Sequence, residues 1–384
     1  MDFPCLGQTI PVGCKQYKKV THTQKMQSAK KSACFLFVFG FFVSNRLWVE
    51  PITDTTIIDG QTYFCSQSGI YVEREDQLHL VYRPDFRSVC LVGYGCTSLL
   101  VGGGEPEISG QIGILDLTNG QFNSIQVARD LIYAVDVRDN RAALACADGS
   151  VLTLILPDFI SNYVIHQHTA AATVVRFSNN GLWLASGGLD SLVVLSSLTG
   201  ETEPILLQDH TDKVECLTFS PDDDFLASGA QDGKIRIHAV SQREQPMVKA
   251  NGVRLIRTYT NLGLEKMAST ESTIMMDDNR QNDYASIGAI AWGGIPETLV
   301  AGSSRGVLYQ FSLTDTQWHR LDISQSHRLV QPNRIYERIT AQGSTSIPAN
   351  AGDAWDCIYS LTFHPSGQLY VSQHQVTRIS LSQP

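Results

Sequence analysis

The sequence contains no Cys-x-x-Cys pair and no Cys-x-x-Cys-His, which removes zinc ribbons and covalently attached haem. Its nine cysteines (5, 14, 34, 65, 90, 96, 146, 216, 357) are scattered. Six lie beyond residue 45, mostly inside apolar runs such as 145–147 and 215–217, and read as buried free thiols rather than a disulfide framework. No apolar run reaches the roughly 18–20 residues that cross a bilayer, so this is not a polytopic membrane protein. Charged residues are few, 17% against 43% apolar, which excludes disorder for the bulk of the chain. Positive charge is short as well: 38 Asp and Glu face 29 Lys and Arg, a net −9, and this argues against nucleic acid as the main partner. Methionine is scarce at six, while thirty glycines supply the tight turns of an all-β fold.

Acidic residues are missing from residue 3 to residue 49, where Lys15, Lys18, Lys19, Lys25, Lys30 and Lys31 sit. The apolar stretch Ala33–Val43 is too short to span a membrane but fits the core of a secretory signal. A start at Met26 would place Lys30 and Lys31 just ahead of that core. Residues 1–45 are therefore a separate basic and apolar segment, and the expected location is periplasmic or extracellular. A cytoplasmic protein whose stretch 33–43 is part of the fold is the alternative. Residues 46–384 form the folded domain.

Self-similarity is the strongest signal. His168, Phe177, Ser186 and Asp190 recur as His210, Phe219, Ser228 and Asp232, all at an offset of 42, and Asp148 lies another 42 before Asp190. A period of about 40–45 with alternating strands marks a β-propeller. These two units resemble WD40 repeats: a histidine ahead of the first strand, the turn Phe219–Asp222, Leu226–Gly229, and the run Asp232–Ile237. Where that family places Trp-Asp, this chain has His238-Ala239 and Ser196-Ser197.

Weaker copies extend the pattern to seven units: 57–81, then 89–116 with an insertion at 103–109, then 132–155, the two clear repeats, 287–312, and a last unit from Ile358. Setting aside polar insertions at 261–285 and 321–354 leaves about 39 residues per unit. The reading is a seven-bladed β-propeller of four-stranded antiparallel blades, all-β. The last unit runs out after three strands, and an open ring would leave unpaired edges. Family resemblance implies closure by an N-terminal strand, for which Arg46–Glu50 beside 375–381 is the available segment.

Several constellations imitate chemistry. The sets Ser186, His168, Asp190 and Ser228, His210, Asp232 look like hydrolase triads, yet they repeat with the blade and no Gly-x-Ser-x-Gly elbow precedes either serine. The resemblance implies that these six residues form structural hydrogen-bond sets, incomplete because the family's strand Trp is absent. His166 and His168 could share one strand face, but no third metal ligand is visible. The run Gly102–Gly104 lacks the Lys-Ser/Thr of a phosphate loop, and Asp222–Asp224 reads as a solvated turn rather than a calcium site. No catalytic, metal-binding or cofactor-binding residue is expected.

The function that follows is a non-catalytic WD40-repeat scaffold for binding other proteins, a monomeric ring whose partner face carries Leu189, Gln231 and Arg305. The alternatives are a propeller enzyme with its site at the central channel mouth, and a subunit of an exported or envelope complex. Partner and pathway do not follow from these residues.

Overall fold

Every regular element among the described residues is a strand, and all but one hairpin belong to four-stranded sheets. The computed structural model describes residues 51–200, 203–240, 254–260, 286–293, 298–304, 306–312, 318–321, 327–328, 336–340, 343–347, 358–366, 368–373 and 376–380. The expected signal segment, Arg46–Glu50 and the insertion 261–285 lie outside these residues.

Blade 1 is β1 (Ile52–Ile58), β2 (Gln61–Ser66), β3 (Gly69–Arg74) and β4 (Gln77–Tyr82); blade 2 is β5 (Ser88–Tyr94), β6 (Ser98–Glu105), β7 (Ser109–Asp116) and β8 (Phe122–Ala128). Blade 3 holds β9 (Ile132–Arg138), β10 (Arg141–Cys146), β11 (Ser150–Ile155) and β12 (Ile160–Gln167). Blade 4 holds β13 (Ala172–Phe177), β14 (Trp183–Gly188), β15 (Val193–Ser197) and β16 (Ile205–Leu207). Blade 5 holds β17 (Val214–Phe219), β18 (Phe225–Ala230), β19 (Lys234–Ala239) and β20 (Arg254–Thr260). Blade 6 is β21 (Ile287–Trp292), β22 (Thr298–Ser303), β23 (Leu308–Ser312) and β24 (Trp318–Arg320). Blade 7 takes its outer strand β25 (His327–Arg328) from the connecting segment; a separate hairpin, β26 (Tyr336–Thr340) and β27 (Gly343–Ile347), follows, and then β28 (Ser360–Phe363), β29 (Gln368–Ser372) and β30 (Val376–Ser380). All pairings are antiparallel, and the seven blades form a ring, a seven-bladed β-propeller.

Alternation explains why each blade is apolar on both faces. In β10, Ala142, Leu144 and Cys146 pack with Cys90, Leu100 and Ile132 on the blade 2 side. The residues between them, Ala143 and Ala145, pack with Ala172, Val175 and Phe177 of blade 4. A strand sandwiched between blades has no solvent face, so the polar half of the usual strand alternation disappears. Each fully buried Leu, Ile or Val contributes roughly 1.5–3 kcal/mol. Turns follow their residues: Asp59 and Gly60 both take positive φ (48° and 72°), as a two-residue hairpin between β1 and β2 requires.

Ring closure differs from the expectation. The edge of β30 that Arg46–Glu50 was to cover is occupied by β25, with His327 opposite Arg378 and Arg328 opposite Thr377. Blade 1 builds all four strands from the contiguous stretch 52–82, and the segment upstream of β28 supplies the missing strand of blade 7. The segment 321–354, read as polar loop, therefore contains that strand and the β26–β27 hairpin. At the seam, Ile52, Phe64, Tyr71 and Leu78 pack on Tyr370 and Val376. The Ile52 N–H donates to the Gln373 carbonyl (3.1 Å), Thr362 Oγ1 to the Thr55 carbonyl (3.1 Å), and Arg378 reaches Glu73 (2.8 Å) and Asp76 (2.9 Å).

Candidate functional site

The residues singled out in the sequence gather on the loops at one end of blades 4 and 5. His168 lies between β12 and β13, Ser186 on β14, and Asp190 in the β14–β15 turn. His168 Nδ1 is 3.0 Å from both Asp190 carboxylate oxygens, and its Nε2 is 2.9 Å from Ser186 Oγ. Asp190 also accepts the Thr169 N–H (3.0 Å) and the Leu192 N–H (3.3 Å). Blade 5 repeats the arrangement: His210 Nδ1 lies 3.2–3.3 Å from Asp232, and Nε2 lies 2.9 Å from Ser228 Oγ.

The order Asp–imidazole–Ser is that of a hydrolase, so burial decides what it can do. Ser186 is 2% exposed and Ser228 is 0% exposed. A nucleophile must meet a carbonyl, and these hydroxyls face only imidazole and strand. What the sets accomplish is to fix the loop ahead of each inner strand to the turn after the second strand. Both ring nitrogens of His168 are engaged, which leaves none for a metal, although the His166 ring stands edge-on to it at 4.9 Å. Burial, with the neighbouring His168 second, holds the His166 pKa below the usual histidine value.

In blade 5 the absent Trp is replaced by other polar groups. Arg236, 4% exposed, sets its Nη1 3.0 Å from Asp232 Oδ2 and against His210 Nδ1. His238, at the Trp position, is 2.9 Å from Asp209 Oδ2 through Nε2. Burial opposes ionisation of Asp232, yet the hydrogen bonds from His210 and Arg236 outweigh it and hold the carboxyl well below its usual range. Burial also lowers the pKa of His210 and of His238.

A second group of polar ties, on the inner strands, was missed in the sequence. Thr56 of β1 and Asp136 of β9 hold corresponding register positions, paired with Tyr63 and Ala143. Each bonds forward to the next blade: Thr56 Oγ1 accepts the Gly93 N–H (3.1 Å), and Asp136 Oδ2 accepts the Phe177 N–H (2.7 Å). Asp54 accepts from the Leu91 N–H (3.0 Å) and Ser360 Oγ (3.3 Å), joining blade 1 to both neighbours. Burial raises the pKa of Asp54 and of Asp136, and the Arg176 guanidinium is the leading opposing influence on both. A charged residue inside an apolar run, as in 135–137 and 175–177, was the available signal.

The turn at Asp222–Asp224 also does more than face solvent. Asp223, 7% exposed and at φ +60°, accepts the N–H groups of Asn179 and Asn180 (both 2.7 Å) and Asn179 Nδ2 (2.9 Å), clasping blade 5 to blade 4. Asp222 caps its own turn through Ser220 Oγ (2.6 Å). The run Gly102–Gly104 lies within β6. A Cβ on Gly103 would come within 1.9 Å of the Arg87 carbonyl oxygen, and one on Gly104, at φ +125°, within 2.1 Å of that of Ser109. Close backbone approach, not phosphate, requires these glycines. The resulting hairpin carries Ile108 at its tip, 71% exposed.

Of the expected partner face, Leu189 is 41% exposed, with its N–H tied to the Ala171 carbonyl (2.8 Å). Gln231 is half-buried, its N–H tied to the Lys213 carbonyl (2.8 Å). Arg305 lies outside the described residues.

Residues 160–195 and 202–238 match the WD40 family, described as WD domain, G-beta repeat. Two stretches of the chain are therefore similar to repeats of that family. Both matched stretches end in the two blades that carry the His–Ser–Asp sets. A component of chromatin assembly factor 1 from Gallus gallus is 35% identical over 94 residues, covering 22% of this chain and only 16% of that protein's length. Among solved structures, the WD40 β-propeller domain of Doa1 superposes with TM-score 0.60 at 14% identity, covering 87% of this chain and 94% of that one. A chain of a mitotic checkpoint complex gives TM-score 0.62 at 11% identity, with 90% and 99% covered. These likenesses below 25% identity speak to the fold. No helix among the described residues is long and apolar enough to cross a membrane.

Proposed function

We propose that this WD40-repeat propeller is a non-catalytic scaffold that binds other proteins through the loop face carrying Leu189, Gln231 and Arg305. One observation carries the reading: the polar constellations on that face are consumed by buried ties within the fold, while the loops leave an apolar side chain, Leu189, in solvent. Names of the similar proteins, a component of an assembly factor and a checkpoint-complex chain, are consistent with it. The net charge of −9 favours protein over nucleic acid as partner. The double variant Leu189→Asp with Gln231→Lys should lose partners cross-linked to the wild-type protein in its native cells, at unchanged thermal stability. Undiminished cross-linking to the same partners would remove this face from the reading.

Export belongs to the same proposal, supported by the lysines ahead of the apolar stretch Ala33–Val43. N-terminal sequencing of the native protein should find a start near residues 44–46 in an exported fraction. An intact Met1 or Met26 in the cytosol would direct the search for partners there.

A further inference from the structure

Propellers end each blade in an open edge strand, and edges that must stay apart are short, charged or bulged. The outer strands of blades 4 to 7 obey that rule. β16 and β24 have three residues each, β25 has two, and β20 carries Arg254 and Arg257. The outer strand of blade 3, β12, is long but twice interrupted in its register with β11. β4 is six residues long and contains His79.

β8 is interrupted only at its end, where its register with β7 shifts between Gln126 and Ala128, and Phe122–Gln126 carries none of these protections. Its seven residues, Phe-Asn-Ser-Ile-Gln-Val-Ala, include no charge, no titratable group and no proline. Asn123, Ser124, Ile125 and Gln126 are all exposed, and Ile125 is 45% exposed. Its pairing with β7 is regular from Phe122 to Gln126. The strand is also held still: the Phe122 ring lies over Gly113, where a Cβ would meet it at 2.3 Å, and stacks near Tyr82 (4.8 Å between centroids). No described strand covers its outer edge.

We propose that β8 is a dimerisation edge, pairing antiparallel with β8 of a second copy of this chain about a two-fold axis at Ile125. The two blades would then share one eight-stranded sheet, in place of the monomeric ring expected from the repeats. The occupant follows from charge and register. Self-pairing centred on residue 125 sets Ile125 against Ile125 and Ser124 against Gln126 within the regular stretch, with no like charges opposed. The same operation on β20 would centre on Arg257 and oppose two arginines, which is destabilising. A closed two-fold contact of this kind uses one patch on both copies and stops at two.

Sedimentation equilibrium of the full chain provides the test. Wild type should sediment at twice the 42.3 kDa chain mass in the micromolar range. Ile125→Lys should weaken the dimer at least about tenfold, while Ile160→Lys, at a 58%-exposed residue of β12, should leave it intact. In a background with Cys96, the one exposed thiol among the described residues, and Cys5, Cys14, Cys34 and Cys357 all changed to Ser, Ile125→Cys should form a disulfide-linked dimer on mild oxidation and the parent should not. A wild type that stays monomeric up to about 100 µM overturns the proposal and leaves the edge to a strand from another protein. A dimer unmoved by Ile125→Lys overturns it as well.

Discussion

Blades 4 and 5 are tied to their surroundings through an imidazole ring, blades 1 and 3 by carboxylates alone. In the first pair, imidazole stands between Asp and Ser at 2.9–3.3 Å, sealed from solvent, and Asp190 and Asp232 are held ionised. In the second, Asp54 and Asp136 reach straight to the N–H of a neighbouring inner strand, with pKa values raised by burial. Both devices satisfy backbone or loop groups that would otherwise be orphaned. They differ in which protonation state the fold prefers, so pH and substitution separate them.

The largest effect is expected at Asp232. Replacing it with Ala leaves Arg236 and His210 buried without their acceptor, and should cost about 3–5 kcal/mol in denaturant unfolding. A loss below about 1 kcal/mol would mean the blade 5 set is no stronger than a surface pair. Next comes Asp223→Ala, which removes the acceptor of three hydrogen bonds between blades 4 and 5. About 2–3 kcal/mol should be lost, and proteolysis should begin at the junction of these two blades. Smallest is Asp136. Its Ala variant forfeits the bond from Phe177 and should cost about 1–2 kcal/mol. Asp136→Asn keeps an acceptor, matches the protonated form that the fold prefers, and should be neutral or stabilising at pH 7. If Asn costs as much as Ala, Asp136 is held by its charge and the contrast between the blades collapses.

This contrast also marks how far the sequence could be read. The period of 42 was visible because His, Ser and Asp do the same polar work in two successive blades, and polar side chains at fixed spacing stand out against an apolar background. The stretches 132–137, 141–146 and 150–155 were legible as short apolar runs set off by turns that carry Asp, Asn and Gly. β25 was not legible, because two residues with two backbone pairings leave no pattern. The carboxylate ties escaped for a related reason. Asp136 bonds a residue 41 positions away, on a partner strand that only the ring identifies. Thr56 does the same work with a different side chain, so no shared letter flagged the position. Asp223 looked solvated because an acidic turn normally is, and its burial depends on Asn179 and Asn180 arriving from the adjoining blade.

The most direct test of the two kinds of tie is stability against pH for wild type, Asp232→Asn and Asp136→Asn, by denaturant titration on both sides of about pH 4, the ordinary carboxylate range. Asp232 has a lowered pKa in the fold, so its stabilisation is present above that range and lost as pH falls through the folded value. Asp136 has a raised one, so its contribution is full below that range and lost as pH rises through the folded value. The advantage of wild type over Asp232→Asn should therefore grow with rising pH, and its advantage over Asp136→Asn should shrink. Two curves of the same slope would contradict the account.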